Sequence, residues 1–274
     1  MVKVYQELYP KMKGNGLQTA GYYLNGFLQS NLDHVKKDVT KRNFDSFIIV
    51  TGREGFGKST LAMQVAKYLD PTFDLHSVVF TANQFLEAVE LADKYQAIVF
   101  DETMGYLSSR GAMSRFNKTL IKVMSEMRSK NLFIIMCIPN FFELDRYPAI
   151  HRSTGLLHVV KRGMFGSYDY RRKKNLYLFG RKSYSYNTTP NYTGDFTSFF
   201  PLEQKSYEEK KQAAINEYTQ NMREGDYQKN QRNKLIYECH KNNLYDSKQL
   251  AKILGLSVRS VQLIVKECKG KAEM

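Results

Sequence analysis

Gly52-Arg53-Glu54-Gly55-Phe56-Gly57-Lys58-Ser59 fits the spacing G-x-x-x-x-G-K-[ST] at every fixed position, and the chemistry of that spacing is capture of a polyphosphate. Glycines let a backbone wrap around an anion with its N–H groups turned inward. A helix starting at Lys58-Ser59 points the positive end of its dipole at the same anion. Lys58 would reach the β and γ phosphates of ATP, and the Ser59 hydroxyl would ligate Mg²⁺; with Thr60, residues 52–60 make up the nucleotide-binding set. Farther on, Asp101 closes the apolar run AIVFDE (97–102), where its carboxylate would hold Mg²⁺ through water. Glu102 points differently from its neighbour and would orient and polarise the attacking water. A carboxylate so placed favours hydrolysis over transfer to a small acceptor.

Three further residues are candidates for catalysis. Asn140 directly follows the apolar run in IIMCIPN. It would sense the γ-phosphate if that strand lies between those of the phosphate loop and Asp101; the other reading is an asparagine capping a turn or helix. Arg110, in YLSSRGAMSR, and Arg128, in SEMRSKN, are candidates for an arginine finger completing a neighbour's site.

These residues need elements to hold them. FDSFIIVT, from Phe44, reads as a strand covered on both faces, because its centre Phe47–Val50 is continuously apolar. A helix follows over about Ser59–Leu69, stopped by Asp70-Pro71. SVVFT (77–81) is a second strand, Asn83–Lys94 a helix capped by Asn83, and AIVFDE a third strand. Met113–Lys130 has helical spacing, and LFIIMCI (132–138) and GLLHVVK (155–161) are two more strands. Strands alternating with helices predict an α/β three-layer sandwich with a mostly parallel sheet.

The formal charge is +14, which favours a polyanionic partner. Residues 161–182 hold eight Lys or Arg against one acid, Asp169. We read 164–182 as a basic aromatic hairpin turning near Lys173–Asn175, with Arg171, Arg172, Lys173 and Lys174 on the phosphates of duplex DNA. SYSYNTTPNYTGDFTSFFP (183–201) reads as a loop or linker, and a charged helix over about Leu202–Arg223 follows. DSKQLAKILGLSVRSVQLIVK (246–266) has the pattern of a helix-turn-helix, with Asn230–His240 as a preceding helix. Its core would be Leu250, Leu256, Val261 and Ile264, leaving Ser257, Arg259, Ser260, Gln262 and Lys266 for DNA. The expected organisation is an N-terminal extension (1–43), a nucleotide domain with the hairpin (44–182), a linker and helix (183–227), and a small all-α DNA-binding domain (228–274). The polar start lacks a secretory h-region, and no apolar stretch approaches the ~18 residues of a membrane span. Cys137, Cys239 and Cys268 are too few and too widely spaced for a disulfide framework. These features point to a cytoplasmic chain without a membrane partner.

GREGFGKST, AIVFDE, MSEMRSKNLFIIMCIPN and HRSTGLLHVV together resemble the additional-strand, catalytic-glutamate division of P-loop ATPases. Within it the run from Phe44 to about Lys161 looks most like the FtsK–HerA translocases and the zonula occludens toxin-like phage ATPases. Members often carry Gln where this chain has Asn140, and many are membrane-anchored. The resemblance implies a self-assembled ring, often hexameric, that couples ATP hydrolysis to moving duplex DNA, as in phage packaging, with a portal or replication protein as a further partner. GKSTLAMQVAKYL through FDE also looks like helicase-loader ATPases, and an ATP-switched DNA-binding regulator is a third reading.

Overall fold

The computed structural model describes residues 4–13, 16–101, 120, 121, 123, 124, 126–242 and 244–272. The chain divides into two units, Met1–Ala214 and Ile215–Met274.

In the first unit, β1 (Val4–Lys13) and β2 (Gly16–Tyr23) pair antiparallel as a separate two-stranded sheet. α1 (Gly26–Arg42) starts at Asn25, whose side chain accepts from the N–H groups of Phe27 and Leu28. Leu28, Leu32 and Val39 are buried along one face of α1 and join the main core. The segment expected to be an extension thus supplies part of that core. β3 (Ser46–Gly52) is buried at every position, as its apolar run requires. There follow α2 (Lys58–Leu69), β4 (Val78–Val79), α3 (Ala82–Leu91) and β5 (Ala97–Asp101). A helical segment, α4, is described at 120, 121, 123, 124 and 126–129. Then come β6 (Phe133–Ile138), β7 (Gly155–Lys161), β8 (Met164–Tyr168), α5 (Tyr170–Gly180) and β9 (Tyr192–Asp195).

Seven strands form one sheet in the order β4-β5-β6-β3-β7-β8-β9. The first five pair parallel, and β8 and β9 extend the sheet antiparallel. Successive side chains point to opposite faces, so each strand feeds two cores. Ile48, Val50, Val99, Ile135 and Val159 pack with α1 and α2; Phe47, Ile49, Ile98, Phe100 and Met136 pack with α3, α4 and α5. Burying each such side chain contributes roughly 1.5–3 kcal/mol. The result is the α/β three-layer sandwich that the alternation of elements predicts.

Several local expectations are corrected. Of 77–81, Val78–Val79 is the strand, and Leu75–Ser77 is a 3-10 turn whose N–H groups Asp74 caps. Thr81, not Asn83, caps α3, its hydroxyl accepting from Gln84 N. The chain reverses at Arg162-Gly163, where Gly163 adopts φ +76°, so Lys173–Asn175 is no turn but the middle of α5. Asp169 caps that helix, and Lys173, Leu176, Tyr177 and Gly180 lie on its buried face at helical spacing. The expected linker contains β9, and Phe196 bridges to Leu24 beyond it.

A single helix, α6 (Gln204–Lys241), replaces the two expected around residues 223–230. In the second unit it is followed by α7 (Ser247–Leu254) and α8 (Val258–Ala272). Asp246 and Gln249 form a capping box at the start of α7. Gly255 at φ +63° ends α7, and Ser257 Oγ accepts from Ser260 N at the start of α8. Ile236, Leu250, Ala251 and Val261 form the core of this unit, flanked by Leu256 and Ile264.

Candidate functional site

β3 delivers the chain to Gly52, and α2 takes it away from Lys58; the phosphate loop lies between them. Gly52 has φ +142°, and a Cβ there would sit 2.5 Å from the carbonyl oxygen of Val159 on β7. Both facts demand glycine. Gly55 (φ +72°) and Gly57 (φ +95°) also take the left-handed region that turns successive N–H groups to one side. Gly57 is the N-cap of α2 and no side chain caps its first turn, so this helix end is fitted for an anion. A cavity of about 440 Å³ opens beside it, bordered by Gly55, Gly57, Thr60, Arg162 and Phe196.

Lys58 Nζ donates to the carbonyl of Arg53 at 3.0 Å, so the lysine lies back along its own loop. Burial lowers its pKa, partly opposed by Cys137, Asp101 and Glu54, while Lys211 pushes the same way as burial. Arg162, in the β7–β8 turn, donates from Nε to the carbonyl of Gly55 at 2.8 Å.

Asp101 ends β5 and is 2% exposed. β6 lies between β5 and β3, the order needed for Asn140 to stand near the phosphates. The side chain of Asn140 accepts from Phe142 N at 3.1 Å and caps the turn Phe141–Glu143. Tyr186 braces that corner: it accepts from Phe141 N at 3.0 Å and bonds Thr51 Oγ1 at 2.8 Å. His158 stacks on it, ring centroids 3.8 Å apart.

Tyr207, on the first turn of α6, donates to the Asp101 carboxylate, and the Ser59 side chain lies beside the same phenol. One of the two residues expected to hold Mg²⁺ is thus engaged by that hydroxyl, and the other adjoins it. A serine hydroxyl and a carboxylate are oxygen donors suited to a hard cation, and the glycine cradle suits phosphates. The residues present fit a nucleotide with Mg²⁺.

The structure brings together Gly52, Gly55, Gly57, Lys58, Ser59, Thr60 and Asp101. Arg53 and Glu54 are exposed on the loop. Glu102 and Arg110 lie outside the described residues. Arg128 is exposed near the end of α4. Of the expected DNA contacts on 164–182, Arg171 is exposed and Lys174 half-buried. Arg172 is spent on the carbonyls of Thr189 and Pro190, at 2.8 and 2.6 Å. Lys173 is fully buried and donates to Ser153 and Ile150, so it faces no ligand surface. In the second unit Ser257, Arg259, Gln262 and Lys266 are exposed and Ser260 is half-buried, its hydroxyl bonded to that of Ser257 at 2.8 Å. Tyr207 and Arg162 were not singled out from sequence. A tyrosine 106 positions from its aspartate leaves no local signal, and Arg162 counted only as charge.

A glycine cradle joining the central strand to a helix, with a serine on that helix and an aspartate ending the strand beyond β6, defines the site of a P-loop NTPase. Residues 31–145 match the model of a family described as Novel STAND NTPase 3 (nSTAND3). The match runs from within α1 past β6, and β7–β9 and the second unit lie outside it. No curated protein matches the chain. A nucleotide-hydrolysing function follows from the family match and the site together. Among the described residues no helix is long and apolar enough to cross a membrane.

Proposed function

We propose that the chain hydrolyses ATP and couples the reaction to duplex DNA, in the manner of a DNA motor. The observation that carries the nucleotide chemistry is the glycine cradle at the start of α2, with Ser59 on that helix and Asp101 ending β5. In this reading the N–H groups of the loop and of α2 bind the phosphates, and Lys58 leaves the Arg53 carbonyl for the β and γ oxygens. Ser59 and Asp101 would hold Mg²⁺, which when bound supplies positive charge to the phosphate oxygens. Glu102 would take up the proton of the attacking water, and Asn140 would turn from its cap toward the γ-phosphate. Arg110 or Arg128 of a neighbouring copy would complete the site of a ring.

The DNA part rests on the net charge of +14 and on α7, its glycine turn and α8. That pair reads as a helix-turn-helix with Arg259, Gln262 and Lys266 toward the major groove. Steady-state ATP hydrolysis with and without long duplex DNA tests the reading, with Glu102→Gln as control. Strong stimulation that the control abolishes supports a motor. Negligible turnover with tight binding to one DNA site supports a second reading, an ATP-switched DNA-binding regulator, which the bond of Tyr207 to Asp101 favours.

A further inference from the structure

We propose that the head of α6 is an autoinhibitory strap whose Tyr207 hydroxyl, held on Asp101 beside Ser59, stands in for Mg²⁺ and must withdraw before a metal–nucleotide complex can seat. The proposal rests on the nucleotide reading of this site. Its starting point is that the phenol donates to the carboxylate that would hold the cation, with the Ser59 side chain beside it. Mg²⁺ requires near-octahedral oxygen ligands at about 2.0–2.1 Å and keeps several waters. A hydroxyl already bonded to the Asp101 carboxylate, with Ser59 beside it, fills the point where that ion and its water would lie.

The strap is built to hold Tyr207 there. The phenol is only 6% exposed, with Phe80 and Phe200 at ring-centroid distances of 5.6 and 4.8 Å. One residue before, Ser206 Oγ donates to Glu203 at 2.7 Å. Three residues after Tyr207, Lys210 Nζ donates to the carbonyls of Leu75 and Val78, at 2.8 and 2.7 Å. Upstream, Gln64 on α2 donates to the carbonyls of Thr197 and Phe199, at 2.9 and 2.7 Å, pinning the segment that leads into α6. A tyrosine that merely filled core space could bond any backbone carbonyl; this one takes the carboxylate whose other role is ionic. The anchors are neutral carbonyls and rings, whereas the hydroxyl contact competes with a divalent cation for a carboxylate. Binding of the cation is therefore what releases the strap.

The test compares the full chain with Tyr207→Phe, which keeps the ring and removes only the hydroxyl. A fluorescent N-methylanthraniloyl ATP is titrated in EDTA and across a Mg²⁺ series, and hydrogen–deuterium exchange of the wild-type protein is followed over residues 204–214. The half-saturating Mg²⁺ concentration should fall about tenfold in the variant, the factor that one hydrogen bond to a carboxylate represents. Exchange over 204–214 should rise with Mg²⁺ and nucleotide together and not with nucleotide in EDTA. Unchanged Mg²⁺ dependence and unchanged exchange, with nucleotide still bound, would overturn the strap and leave the NTPase site standing. A higher Mg²⁺ requirement in the variant would overturn it too, making Tyr207 a residue that positions the metal. Failure of both proteins to bind the nucleotide at all would remove the nucleotide reading and the strap with it.

Discussion

Arg162 ties the β7–β8 turn to the phosphate loop, its Nε donating to the backbone carbonyl of Gly55 at 2.8 Å. The bond joins two segments 107 residues apart, and it spends a guanidinium on a neutral carbonyl in the one loop whose shape decides phosphate binding. Its neighbour Gly163 adopts φ +76°, so the turn itself is tight and presents the arginine from a fixed backbone. The loop is thereby held from both sides: by Arg162 at its apex, and by Val159 against Gly52 at its base.

Arg162→Ala should therefore weaken nucleotide binding. An exposed hydrogen bond of this kind is worth ~0.5–1.5 kcal/mol, which corresponds to about threefold to tenfold in affinity. Equilibrium titration with a fluorescent nucleotide reads that change, and the unfolding midpoint in urea should move little. If Arg162 acted instead as one more cation for DNA, nucleotide affinity would stay constant. The salt dependence of DNA binding would then become shallower.

The phosphate loop, α2 and the central strands were legible because their signals are local: fixed glycine spacing, and apolar runs that only a strand covered on both faces can bury. Asp101 was legible because a carboxylate ends one of those runs. What sequence reasoning missed is set by partners distant along the chain. β9 is only four residues long and contains Gly194 and Asp195, which disfavour a strand; it forms because β8 offers an open edge. Gly194 is pressed against Phe165 and Asn25 with no room for a side chain. Lys173 was misread because its run of basic residues suggests a surface, while the helical spacing of Lys173, Leu176 and Tyr177 turns it inward. Asn83 and Thr81 are both good caps, and only the observed backbone decides between them.

His158 makes part of the sheet's stability depend on acid pH. Burial pushes its pKa down to about 4, and its ring is sandwiched against Tyr186 beside Thr51. The unfolded chain takes up the proton near pH 6.5, and the folded one resists until about 4. The contribution is thus whole above pH 6.5 and is lost as pH falls toward 4, amounting to about 2 kcal/mol after allowance for residual exposure. His158→Gln should flatten the fall in urea stability between those two pH values relative to wild type. Parallel curves for the two proteins would mean that the imidazole titrates in the folded state as it does in water.

Lys173 works in the alkaline direction. Its ammonium is fully buried, donating to Ser153 and to the carbonyl of Ile150, and burial brings its pKa down to about 7 against the opposing pull of Asp169. The unfolded lysine stays protonated up to about 10.5, so between 7 and 10.5 the unfolded chain binds the extra proton. Its contribution to stability is whole above 10.5 and is lost as pH falls through that window. Lys173→Met deletes the titration and leaves the carbonyls of Ile150 and Ser153 unpaired, a cost of about 1–3 kcal/mol at any pH. The wild-type advantage over this variant should accordingly grow by about 3 kcal/mol from pH 7 to pH 10 in urea denaturation. DNA affinity and its salt slope should be the same in both proteins. A variant that instead bound DNA more weakly, with a slope reduced by about one phosphate contact, would place Lys173 on the surface and sink the buried assignment.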